Sequence, residues 1–189
     1  MNNGHKQVEP SVFVIFGGTG DLSKRKLLPA LARLHSTDAL GPASQVVGVA
    51  RNKEHTDASF RELVQESLTS FAAELSEDHV EEFLSRCHFQ TIDRSTKADF
   101  ANLKDRLAKI EAEHQLPGNR TFYLSLPPQA FASTLEGFQA TGLNREDGGW
   151  TRVVLEKPFG RDLPSAIKLN ETVHEVFEER QIYRIDHYL

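Results

Sequence analysis

The chain predicts an α/β fold: a doubly wound parallel sheet with helices on both faces. Two observations carry that expectation. Apolar runs of strand length alternate with stretches of helical period along nearly the whole sequence, and strands joined by helices of this length pair in parallel through right-handed crossovers. The first run, Val12-Phe13-Val14-Ile15-Phe16, leads directly into Gly17-Gly18-Thr19-Gly20-Asp21-Leu22. A buried strand, a glycine turn and a helix in this order form the context in which backbone N–H groups receive a phosphate. The expected architecture is therefore a three-layer αβα, Rossmann-like domain whose ligand lies outside the C-terminal strand ends, where the strand order reverses.

Residues 11–16 form the first strand. Residues 26–36 form the first helix, because Pro29 suits a first helical turn; residues 20–25 then remain as an extended turn. Residues 45–50 are the second strand. Asp57 or Ser59 caps a helix to about residue 74, with Phe60, Leu63, Val64, Leu68 and Phe71 on one face. Ser76 caps a short helix carrying Val80, Phe83 and Leu84, and residues 88–92 are the third strand. Thr96 opens a helix with Phe100, Leu103, Leu107 and Ile110 at helical spacing. Residues 121–126 are the fourth strand, ended by Pro127-Pro128, and residues 131–138 a helix. After a turn at residues 146–149, residues 151–155 form the fifth strand. Asp162 and Pro164 open a helix to about residue 180, and residues 182–185 form a sixth strand. Residues 1–10 are expected to be a flexible N-terminus and residues 11–189 a single dinucleotide-binding domain, with no internal repeat and no low-complexity linker.

Composition excludes several classes. With 189 residues, 39% hydrophobic and 26% charged, the chain is an ordinary globular one. A net charge of −5 opposes general nucleic-acid binding, which needs a basic face. No apolar run is long enough for a membrane span, and the N-terminus lacks the apolar stretch of a signal peptide. The single cysteine, Cys87, cannot make an internal disulfide and reads as a small buried hydrophobe in a reducing, cytoplasmic setting.

Three places carry candidate chemistry. The first is the glycine turn. It lacks the third glycine of G-x-G-x-x-G, so on its own it is equally a bare strand-to-helix connection. The basic run Lys24-Arg25-Lys26 favours an anion nearby, since cations at a helix start oppose its dipole. Arg51 directly follows the second strand, with no carboxylate before Glu54. At this position an acidic residue accepts from the ribose of NAD, whereas an arginine suits the 2′-phosphate of NADP; the competing reading is a surface arginine. The second place is Lys157, restrained by Pro158 at the end of the fifth strand, either deep in the crevice or merely solvated. The third is Asp186-His187-Tyr188 at the end of the sixth strand. It could hold a phosphorylated sugar, or be an ordinary strand end. No Tyr-x-x-x-Lys pair and no metal-ligand spacing occur, and Ser125 lies in no nucleophile elbow.

Four motifs in order resemble the glucose-6-phosphate dehydrogenase family. They are Gly17-Gly18-Thr19-Gly20-Asp21-Leu22 with Lys26, Tyr123-Leu124-Ser125-Leu126-Pro127-Pro128, Glu156-Lys157-Pro158-Phe159-Gly160, and Arg184-Ile185-Asp186-His187-Tyr188-Leu189. The resemblance implies NADP binding at Gly17, Thr19, Gly20, Asp21, Leu22, Arg51, Tyr123 and Lys157. It implies glucose 6-phosphate contacts from Lys157, His187 and Tyr188, with His187 on the sugar phosphate and Asp186 supporting catalysis beside it. It also implies oxidation of the sugar to its lactone, the first step of the pentose phosphate pathway. Family members add a large second domain that supplies the base histidine and the oligomer interface. This chain is expected to be the coenzyme domain alone, inactive by itself. The alternatives are a stand-alone NADP-binding module and the coenzyme domain of another hexose-6-phosphate dehydrogenase.

Overall fold

In the computed structural model, which describes residues 8–51, 53–157 and 162–185, the sheet grows outward from β1 (Val12–Phe16). On one side lie β2 (Gln45–Ala50) and β3 (Cys87–Thr91); on the other lie β4 (Arg120–Leu124), β5 (Thr151–Glu156) and β6 (Ile182–Ile185). The order is β3-β2-β1-β4-β5-β6 and every pairing is parallel. This is the doubly wound arrangement the sequence predicts, and its direction reverses between β1 and β4.

Alternation along the strands sorts the core into two clusters. Val12, Val14 and Phe16 of β1 point to the same face as Val47, Val49, Phe122, Leu124, Val153 and Leu155. There they meet Phe100, Leu103, Leu107, Phe138 and Val173 of the helices α4 (Lys97–Glu113), α5 (Phe131–Thr141) and α6 (Leu163–Val176). Phe138 anchors this side, with Phe122 edge-on at 4.7 Å and Phe177 at 5.4 Å between ring centroids. On the opposite face, Ile15, Val46 and Phe89 pack against Leu28, Leu31, Phe60, Val64 and Phe83 of α1 (Leu28–Ser36), α2 (Asp57–Phe71) and α3 (Glu77–Ser85).

The caps follow from side-chain oxygens placed before each helix. Ser76, Thr96 and Asp162 cap α3, α4 and α6 as the sequence indicates. Three expectations need correction. The cap of α2 is Thr56, which forms a reciprocal box with Ser59; Asp57 is the first helical residue, and α2 ends at Phe71 rather than near residue 74. Residues 20–25 are not an extended turn. The helix begins at Asp21 and passes through a π-helical turn, Ser23–Leu27, in which the Leu28 N–H bonds the Ser23 carbonyl. That wider turn accommodates Pro29, whose ring would clash with the carbonyl four residues back in a regular α-helix. Finally, α6 stops at Val176 because Phe177 turns extended and buries its ring, and a short 3₁₀ turn, Glu179–Gln181, leads into β6.

Candidate functional site

The reversal between β1 and β4 leaves a cleft of about 640 Å³ at the C-terminal strand ends, within the size range of small-ligand sites. Its floor is the glycine turn. Gly17 sits at φ +83°, and a Cβ there would lie 2.3 Å from the Ser125 carbonyl oxygen. A Cβ on Gly18 would lie 2.6 Å from the Gly48 Cα. Both glycines therefore let the turn press against β4 and β2, as close backbone approach requires. The Gly17 and Gly18 N–H groups both donate to the Val49 carbonyl, at 2.9 and 3.0 Å. The Ser23 hydroxyl donates to the Gly17 carbonyl at 2.8 Å, pinning the turn to the helix. The Lys24 N–H donates to the Gly20 carbonyl at 3.1 Å. The N–H groups of Asp21, Leu22 and Ser23 precede this bond and are the orphan donors of a helix start, with the positive end of its dipole.

Of the residues singled out in the sequence, Gly17, Thr19, Gly20, Arg51, Ser125 and Pro127 line this cleft together. Asp21 and Leu22 belong to the first helical turn beside it. Asp21 is exposed and lies 3.8 Å from Arg25, which also sits over the Phe71 ring at 5.7 Å. Lys24, Arg25 and Lys26 are not among the described lining residues, and Arg25 is engaged by Asp21 and Phe71. Lys157 follows β5, exposed, with its N–H on the Ile185 carbonyl at 3.2 Å. It too lies outside the described lining, whereas the glycine turn, Arg51 and Pro127 share it. Tyr123 is 5% exposed and its hydroxyl donates to Glu156. Burial first, and then this carboxylate, push the phenol far above its ordinary pKa. Asp186, His187 and Tyr188 lie outside the described residues.

The sequence reading missed two walls. One is the loop after β3, where Ile92, Asp93, Arg94 and Ser95 line the cleft beside Arg51. The other is the start of α5, which contributes Gln129, Ser133 and Thr134. The available signal was topological: β3 is the neighbour of β2, so its outgoing loop must border the same crevice. Behind this wall, the Asp57 carboxylate accepts from the Phe89 N–H at 2.8 Å and from Arg106 at 2.5 Å. Burial alone would raise the Asp57 pKa, but these donors outweigh it and hold the carboxyl below its usual range. Neighbouring His88 donates its Nε2–H to the Gln45 side-chain oxygen at 2.9 Å. Burial pushes its pKa down to about 4, with the Asp57 charge only partly opposing. Across the loops, Lys53 bridges Asp93 at 2.7 Å, and that hydrogen bond raises the lysine pKa.

Sheet order, glycine turn and cleft together define a dinucleotide-binding domain of the Rossmann type. Comparison with known proteins narrows the class. The chain belongs to the glucose-6-phosphate dehydrogenase family: residues 14–189 match the family described as the glucose-6-phosphate dehydrogenase, NAD binding domain. It is 43% identical over 183 residues to the glucose-6-phosphate 1-dehydrogenase of Aggregatibacter actinomycetemcomitans, covering 97% of this chain and 37% of the relative. It is 40% identical to that of Bacillus subtilis (strain 168), covering 36% of the relative. Among solved structures, a glucose-6-phosphate dehydrogenase in complex with its substrate glucose-6-phosphate superposes with a TM-score of 0.86 at 34% identity. That match covers 97% of this chain and 38% of the other. The glucose-6-phosphate 1-dehydrogenase from Mycobacterium avium superposes with a TM-score of 0.78 at 27% identity, covering 93% and 36%. The chain thus spans little more than a third of the length of the curated relatives it matches.

Proposed function

We propose that the chain binds NADP in the cleft between β1, β2 and β4, as the coenzyme domain of an enzyme that oxidises glucose 6-phosphate to its lactone. The observation that carries the cofactor choice is Arg51. It lines the cleft one residue past β2, and the turn that follows has no carboxylate before Glu54. A guanidinium there grips a 2′-phosphate through paired, charge-assisted hydrogen bonds. Gly17 and Gly20 let the backbone approach the pyrophosphate. The N–H groups of Asp21 and Leu22 face its charge, and Thr19 adds a hydroxyl donor. When bound, NADP supplies a hydride acceptor; the chain's residues position it and exclude competing groups.

Tyr123 and Lys157 stand at the ends of β4 and β5, toward the reacting end of the cofactor. In this reading Lys157, His187 and Tyr188 contact glucose 6-phosphate. His187 holds the phosphate, and Asp186 beside it favours the protonated imidazole. The similar proteins are named for this substrate, which supports the assignment. The setting in the reading is the cytoplasm. Among the described residues no helix is long and apolar enough to cross a membrane.

Titration calorimetry on the purified chain tests the cofactor assignment. Arg51→Ala should weaken NADP⁺ binding by about 1.5–3 kcal/mol, the worth of a charge-assisted hydrogen bond, and leave NAD⁺ nearly unchanged. Equal losses for both cofactors contradict it. For the substrate, residues 1–189 joined to the remaining length of the Aggregatibacter relative give an assayable chimera. There His187→Ala should raise KM for glucose 6-phosphate, whereas an unchanged KM would assign the Asp-His-Tyr set a structural role.

A further inference from the structure

Arg51 is not the only guanidinium at this end of the cleft. Ala50 pairs with Thr91 across β2 and β3, and the Ile92 N–H extends the ladder to the Ala50 carbonyl at 3.0 Å. The two strands therefore release their loops side by side: Arg51 one residue past its pairing partner, Arg94 three residues past. Both arginines line the same cleft. The Arg94 side chain is 82% exposed, and its carboxylate contact, Asp93, stands at 3.7 Å, beyond hydrogen-bond length.

Asp93 is the only carboxylate among the described lining residues, and it would repel an anion there. Lys53 already engages it at 2.7 Å. The charge that opposes a phosphate is thus neutralised from the β2 side, and Arg94 is left available. The loop itself is held in shape. The Asp99 carboxylate of α4 accepts from the Arg94 N–H at 3.2 Å, the Thr96 N–H at 3.1 Å and the Thr96 hydroxyl at 3.0 Å. Between them Ser95 adopts φ +54°, a left-handed conformation that a residue with a side chain takes only when its surroundings impose it. A strained, carboxylate-braced loop that presents a cation to a ligand cleft is what pre-organised recognition requires.

We propose that Arg94 is a specificity-determining residue: a second cation, supplied by the β3–α4 loop, that joins Arg51 on the 2′-phosphate of NADP, while Lys53 neutralises Asp93. The proposal rests on the NADP reading above and deepens it.

Calorimetry with NADP⁺ and NAD⁺ on the purified chain tests it. Arg94 is an exposed loop side chain, so its replacement should leave the fold intact. Arg94→Gln should raise the dissociation constant for NADP⁺ about tenfold and that for NAD⁺ less than about twofold. Arg94→Lys, which keeps a point charge without the fork, should recover part of the loss. If Arg94→Gln leaves the NADP⁺/NAD⁺ ratio unchanged while Arg51→Ala lowers it, Arg94 is a solvated loop residue and the inference is overturned with the NADP reading intact. Equal weakening of both cofactors by Arg94→Gln also overturns it, since the contact would then lie on the shared adenylate. If neither Arg51→Ala nor Arg94→Gln alters the ratio, the NADP reading falls and this inference falls with it.

Discussion

β2 and β5 are strands of one sheet, yet they are buried differently. β2 is buried at five consecutive residues, 45–49, whereas β5 alternates: Thr151, Val153 and Leu155 are buried, and Arg152, Val154 and Glu156 are half-exposed. The cause is topological. Crossovers running from β1 toward β3 place α1, α2 and α3 on one face, and those running from β4 toward β6 place α5 and α6 on the other. The helix α4, returning from β3 to β4, joins α5 and α6 on their face. Around β1, β2 and β3 the sheet is sandwiched. On the α1 side of β4, β5 and β6, the described residues leave Thr121, Arg152, Val154, Glu156 and Tyr183 partly open. Arg152 lies over Trp150 at 4.0 Å and over Tyr183 at 5.7 Å, so cation–π contact covers part of the apolar surface there. The doubly covered half, with β4 beside it, holds the glycine turn, Arg51 and the braced β3–α4 loop. The singly covered half holds Lys157 and ends at β6.

Stability measurements can break that contrast. Ile15 of β1 is fully buried between the sheet and α1, and Val154 stands in the same row of side chains two strands away. Ile15→Ala should cost about 2–5 kcal/mol in urea unfolding, and Val154→Ala less than about 1 kcal/mol. Equal costs would mean that the β5 face is covered as fully as the β1 face.

The sandwiched half should also carry a pH dependence set by a buried histidine. His88 has a folded pKa of about 4 against an ordinary 6.5. The folded protein therefore keeps this histidine neutral while the unfolded chain binds a proton. Stability from this group is present above about pH 6.5 and is lost as pH falls toward 4, because the unfolded state takes up more protons. Between about pH 7 and pH 5 the loss should be about 2 kcal/mol. His88→Gln should flatten the profile over that window, whereas an unchanged slope would place the titration elsewhere.

The sequence made the six strands legible because parallel strands buried in a sheet read as short apolar runs, and each was flanked by a turn or a cap. It also marked Gly17, Thr19, Gly20 and Arg51, which line the cleft, because the first three lie in the turn after β1 and Arg51 follows β2. What it hid had physical reasons. Pro29 pointed to a late helix start, but a π-helical turn absorbs proline and lets the helix begin at Asp21. Phe177 continues the apolar period of α6, yet it ends the helix by turning into the core. Arg25 sits in a basic run beside the glycine turn, but its helical position directs it to Asp21 and Phe71. The wall formed by Asp93, Arg94 and Ser95 carries no motif. It follows only from the adjacency of β2 and β3, which single-chain spacing does not display.

In the proposed reading, the β1–β2–β3–β4 part of the sheet holds the adenosine and pyrophosphate of NADP⁺. Hydrogen exchange with and without saturating NADP⁺ tests it most directly. Amides of residues 17–23, 50–51, 93–96 and 125–133 should gain protection on binding, and those of α6 should exchange as before. Protection gained mainly in α6 and β6, with the glycine turn and the β3–α4 loop unchanged, would place the cofactor elsewhere.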